Sequence, residues 1–279
     1  MISRITGALT RAFSVSMLFA LPSLTLPASS HADGTVLLVV VLASFAWTYM
    51  EYVSAYPNLL EFRDAPPFNR IRFLSLFAIV FALSQIQVFA LYETTISAVM
   101  YGIGRLVGYS LNFPYSPVRL MSDLFPAIND ASVHSLFQAS VGLAYLISLI
   151  AILAFTIALH LNRWPRNNGP FNVWINLPTF DPTSTDDVVG KLNRDGRINI
   201  ILGFALPFFI PIFASVLSGF VPVLGADNPF VMIWVVSAWA FLPSSLIMRG
   251  IAMQRVGQMI TAHQRIIAAK EEGLTAFVS

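Results

Sequence analysis

The chain has 279 residues, 56% of them hydrophobic and only 11% charged, with a net charge of +2 and no cysteine. Soluble domains carry about 25% charged residues, so an ordinary water-soluble globule is excluded. Disulfides, thiolate metal sites and cysteine nucleophiles are excluded with it. The apolar residues come in unbroken blocks such as 37–42, not in the ~10-residue alternating segments of a transmembrane barrel.

At the N-terminus Arg4 and Arg11 flank a polar start, residues 12–26 are apolar, and Ser30-His31-Ala32 has the small-x-small form of a cleavage site. Residues 1–32 therefore read as a signal peptide or as a first transmembrane helix, and both leave Asp33 outside. A transmembrane helical domain follows over 33–248, with crossings at about 35–55, 71–92, 136–161, 198–222 and 230–248. Each is near the ~20 residues that cross hydrocarbon as a helix. The first inner loop holds Arg63, Arg70 and Arg72.

Residues 94–113 are apolar but carry Gly102, Gly104, Arg105 and Gly108. Only Glu93-Thr94-Thr95 separates them from the crossing before, too little chain to reverse and span again. An interfacial or re-entrant helix on the outer face is expected here, with Pro114, Pro117 and Pro126 breaking the chain after it. Residues 162–196 form the inner loop, where Asp186 and Asp187 suit the first turn of a short capped helix. Pro207 and Pro211 are expected to divide the fifth crossing, and Pro243 to interrupt the sixth. Residues 249–279 make a cytoplasmic helical tail. Its apolar seam of Met253, Val256, Ile260, His263 and Ile267 suits docking on the protein itself, or on a partner helix.

Fourteen of the sixteen Lys and Arg residues fall in alternate gaps between these stretches; only Arg105 and Arg119 lie in the others. Short cytoplasmic loops retain Lys and Arg, so the split orients the chain, and the pI of 9.0 needs no nucleic acid to explain it. The fold expected is an all-α membrane protein. It is a polytopic bundle of five or six transmembrane helices, with the outer interfacial or re-entrant helix and the cytoplasmic tail. A bacterial inner (plasma) membrane suits it. The C-terminus is cytoplasmic, and so is the N-terminus if residues 1–32 are retained; it is external if they are removed. Trp164 and Trp174 lie where aromatic belts anchor helices.

Ionisable or polar residues at membrane depth are functional candidates. Glu51 could serve a proton or cation path, but headgroup contact or pairing with Arg63 or Arg70 is the preferred reading. Gln85 and Gln87 point in opposite directions on a helix and suit interhelical bonding. Gly104 and Gly108 form a GxxxG that admits a neighbouring helix, beside Arg105, which could pair with Glu93, hold a lipid headgroup or make a structural contact. His31, His134, His160 and His263 have no spacing that completes a haem or metal site. No G-x-S-x-G, H-E-x-x-H or Walker pattern occurs. These observations favour a non-catalytic membrane subunit or assembly factor, without cofactor or metal. Its expected partners are membrane lipids and another membrane protein or a second copy. The alternative is a small-solute or ion transporter or channel.

Overall fold

The computed structural model describes residues 2–27, 34–124, 131–161, 164, 176–178, 180, 187–218 and 228–278. Their regular structure is helical throughout. The helices are α1 (Ile2–Thr25), α2 (Gly34–Val53), α3 (Phe68–Leu91), α4 (Thr95–Ser110), α5 (Pro117–Ser122), α6 (Ala131–Leu161), α7 (Val188–Ser218) and α8 (Pro229–Val278). Six of these, all but α4 and α5, are long and apolar enough to cross a membrane. The fold is all-α in its described residues, and these six helices are compatible with a multi-pass membrane protein.

Local chemistry sets several boundaries. Thr94 and Ser97 cap α4 reciprocally: the Ser97 N–H donates to Thr94 Oγ1 (3.1 Å) and the Thr94 N–H to Ser97 Oγ (2.8 Å), a capping box built without an acid. α7 starts ten residues before the apolar stretch expected at 198, and the short capped helix expected near Asp187 is its first turns. Asp187 Oδ1 accepts the Gly190 N–H at 2.7 Å, an N-cap contact, and the polar turns that follow continue into the apolar helix without a break.

Pro207 and Pro211 do not divide α7, nor does Pro243 break α8. Pro211 has no N–H to give to the carbonyl four residues earlier. That carbonyl, Pro207 O, accepts the indole N–H of Trp239 from α8 at 3.1 Å instead. The orphaned acceptor is satisfied across the helix pair.

α7 and α8 run antiparallel along a glycine-spaced seam. A Cβ on Gly203 would meet Pro243 O at 2.6 Å, and one on Gly196 would meet Gly250 O at 2.9 Å. The main core gathers Leu18 and Leu26 of the α1 end, Ile79 and Leu83 of α3, Phe137 and Val141 of α6, and Ile233 and Trp239 of α8. α2 is different. It packs chiefly on α1 and exposes Val36, Leu38, Val39, Leu42, Trp47 and Met50, an apolar face that suits lipid or another helix.

α8 is a single helix of 50 residues, about 75 Å long. Its seam divides. Met253 and Val256 are buried and Ile260 packs beside them, whereas His263 and Ile267 are exposed.

Candidate functional site

The helix carrying Gly104, Arg105 and Gly108 packs along α6 in the same direction. Tyr101 Oη lies 3.2 Å from Ser135 Oγ. A Cβ on Gly104 would sit 2.7 Å from Ala139 O, one on Gly108 2.6 Å from Gln138 O, and one on Gly142 2.5 Å from the Gly108 Cα. The contacts advance together along both helices, so α4 descends beside α6 and does not cross it. Gly104 and Gly108 are contact residues because no other residue type fits.

Arg105 points elsewhere. It is exposed, and among the described residues no carboxylate, Glu93 included, pairs with it. After α4 an exposed turn at 112–115 leads into the partly buried α5. Ser116 Oγ donates to Leu111 O (2.6 Å) and accepts the Arg119 N–H (3.0 Å), capping α5, and Val118 and Met121 join the main core.

In α3, Gln87 Nε2 reaches Met232 Sδ of α8 at 3.8 Å, a weak interhelical bond. Gln85 is half-buried, without a hydrogen-bond partner among the described residues.

Glu51 ends α2 buried and engaged. Its carboxylate accepts the backbone N–H groups of Asn58, Leu59 and Leu60 at 3.1–3.3 Å, closing the α2–α3 loop upon itself. Arg63 does not reach the carboxylate; its Nη1 donates to the main-chain oxygens of Glu51 (3.3 Å) and Ser54 (2.7 Å). The same loop is tied to the α6–α7 connection. The N–H of Phe62 donates to Asn176 O, that of Asp64 to Asn176 Oδ1, and Trp164 Nε1 to Ala65 O. Trp164 is thus 3% exposed, packed on Phe62, and is no interfacial anchor. Trp174, His31 and Asp181 to Asp186 lie outside the described residues.

Beside this loop lies a network that the sequence did not single out. Arg249 of α8 grips Glu61 with two parallel bonds, Nε to Oε2 at 2.6 Å and Nη2 to Oε1 at 2.7 Å. Its Nη1 donates to Asn199 Oδ1 (3.0 Å), and Asn199 Nδ2 donates to Asp195 O (2.7 Å). Arg72 lies within electrostatic reach of Glu61 and Arg249, and its guanidinium faces the Phe68 ring at 5.1 Å. A fork-to-fork Arg–carboxylate pair is a strong, directional contact. It locks the first loop, α7 and α8 together.

Two cavities flank the α1–α2 hairpin. One, of about 240 Å³, is walled by Phe19, Val36, Val40, Phe230 and Trp234 and is almost wholly apolar. The other, of about 190 Å³ at the Arg11–Tyr52 end, is lined by Arg11, Arg63 and Arg70 together with Tyr52 and Phe73. Among the described residues no group of three His, Cys, Asp or Glu side chains gathers as a metal site would require. No protein-family model, curated protein or solved structure matches this chain.

Proposed function

We propose that the chain is a non-catalytic integral membrane subunit or assembly factor that binds another membrane protein. It sits in a bacterial inner membrane with both termini cytoplasmic. Retention of residues 1–32 is part of this reading, because Leu18 and Leu26 belong to the main core and their loss would open it. The fourteen-to-two distribution of basic residues supports the orientation. The parallel packing of α4 on α6, with Val118 and Met121 of α5 buried in the main core, supports an outer re-entrant element.

The observation that carries the proposal is the far end of α8. α7 faces α8 at Gly257, which meets Asn193, and the packed part of the seam reaches Ile260, yet α8 continues to Val278. Beyond the covered part Ile267 of the seam is 44% exposed, and Ile266 on the adjoining face is 50% exposed. A helical arm with an uncovered apolar seam gains stability when another helix covers it. Transport finds less support, because Glu51, the carboxylate a proton or cation path would use, is already held by three backbone N–H groups.

Mild-detergent purification followed by native mass spectrometry tests this reading. The full chain is expected to carry a defined membrane-protein partner or a second copy, and Ile266→Asp with Ile267→Asp to release it. A chain that is monomeric with or without the two substitutions overturns the proposal.

A further inference from the structure

The 190 Å³ cavity brings together cations from three separate places: Arg11 on α1, Arg63 in the loop and Arg70 on α3. The nearby acids are engaged. Glu51 holds loop backbone, Glu61 is gripped by Arg249, and Asp64 pairs with Arg63, whose side chain is only 6% exposed. That leaves Arg11 and Arg70. Arg11 lies over the Tyr52 ring at 4.7 Å and Arg70 is exposed, and among the described residues no carboxylate pairs with either. Both guanidiniums are exposed and face one cavity without a carboxylate between them, an arrangement that favours an anion there.

The rest of the cavity says what kind of anion. Its other walls include Val15, Phe62 and Phe73, so a cationic side meets an apolar side, as an amphiphile requires. Its level agrees. Tyr52 is next to last in α2, a helix of 20 residues and therefore about 30 Å long, the thickness of the hydrocarbon layer. A cavity beside Tyr52 then opens where headgroups meet acyl chains. Guanidiniums bind phosphate oxygens through paired N–H donors, and basic pockets between membrane helices hold anionic headgroups.

We propose that this cavity seats the phosphate of an anionic phospholipid between Arg11 and Arg70, with its glycerol and upper acyl carbons against Val15 and Phe73. The proposal rests on the helices crossing a bilayer, and it stands whether or not α8 docks a partner. The bound lipid would bridge α1 to α3 and steady a hairpin whose second helix, α2, touches little else.

The test uses the full chain in nanodiscs of phosphatidylcholine with a minor fraction of phosphatidylglycerol, with the lipids retained after detergent extraction read by native mass spectrometry. Phosphatidylglycerol is expected to be enriched roughly tenfold over its share of the disc. Arg11→Gln with Arg70→Gln abolishes the enrichment, Arg11→Lys with Arg70→Lys keeps part of it, and Arg119→Gln at the far side leaves it intact. Arg70→Gln alone, at an exposed position, keeps the test readable if the double variant fails to fold, and reduces enrichment about fivefold. Equal retention of both lipids, or enrichment that survives Arg70→Gln and the double Gln variant, overturns the proposal. So does arginine-dependent binding of inorganic phosphate in discs of phosphatidylcholine alone, which would assign the cavity to a soluble anion.

Discussion

The two ends of α6 are held in opposite ways. Near its start, Gly142 and Ala139 let α4 come so close that backbone meets backbone. Near its finish, Phe155 and the neighbouring Trp164 sit in a cluster closed by the two-bond grip of Arg249 on Glu61. The first contact works because side chains are missing, and its tolerance is set by sterics. The second works because charges from distant parts of the chain meet, and its tolerance is set by whether each charge keeps its partner. A seam of glycines fails with any added bulk; a charged clamp fails mainly when half of it is removed.

The largest effect is expected at the glycine seam. Gly142→Leu places a branched side chain where even a Cβ lies 2.5 Å from the Gly108 backbone, so α4 must leave α6. We expect a loss of about 3 kcal/mol or more and a broadened size-exclusion peak, with thermal unfolding in mild detergent as the measure. Gly102→Ala, in the facing helix α4, is the contrast. A Cβ there meets nothing within 4 Å, and replacing a helical glycine gains about 0.5–1 kcal/mol. Equal behaviour of the two substitutions would remove steric contact as the cause.

At the other end, Glu61→Leu leaves the Arg249 guanidinium without its anion. Removing one partner of a fully buried pair costs about 3–5 kcal/mol. Arg249 keeps 29% of its side chain exposed, so water recovers part of this and a loss of about 2 kcal/mol is expected. Glu61→Leu combined with Arg249→Leu should restore some of the lost thermal stability. If the two losses add, the pair is not coupled and the clamp is a coincidence of packing.

The same contrast explains how much could be read beforehand. The long apolar helices were legible because a span of hydrocarbon demands uniform apolar length, and Gly104 and Gly108 because a four-residue spacing puts both on one helix face. Their partner was not legible: Gly142 is one small residue among the apolar residues of α6, and nothing local marks the face that α4 will meet. Glu61 and Arg249 are 188 residues apart, so no spacing links them, and each alone reads as an ordinary loop or boundary charge. Trp164 was misplaced for a related reason. A tryptophan at a helix end suits the headgroup region, and only the fold brings the Ala65 carbonyl to its indole N–H. The start of α7 was missed because Asp187 caps turns too polar to register as membrane helix.

The smallest effect is expected at Arg105, the charge that stands out most in the sequence. It is flanked by Gly104, which faces α6, and sits among Ile103, Leu106 and Tyr109, all exposed; the charge therefore lies on the outward side of α4. Its level can be read from its neighbour. Gly104 meets Ala139, the ninth residue of a helix of 31, about 12 Å from that helix's start. With α6 across a bilayer, as proposed above, its length exceeds the ~30 Å hydrocarbon layer by about half, which lets the guanidinium extend along its own stem to the headgroups and keep its hydration. Arg105→Gln should then shift stability by no more than about 0.5 kcal/mol and leave the mass of the purified assembly unchanged. A larger loss in unfolding experiments, or a change in that mass, would mean that the exposed face of α4 holds a partner that the isolated chain does not contain.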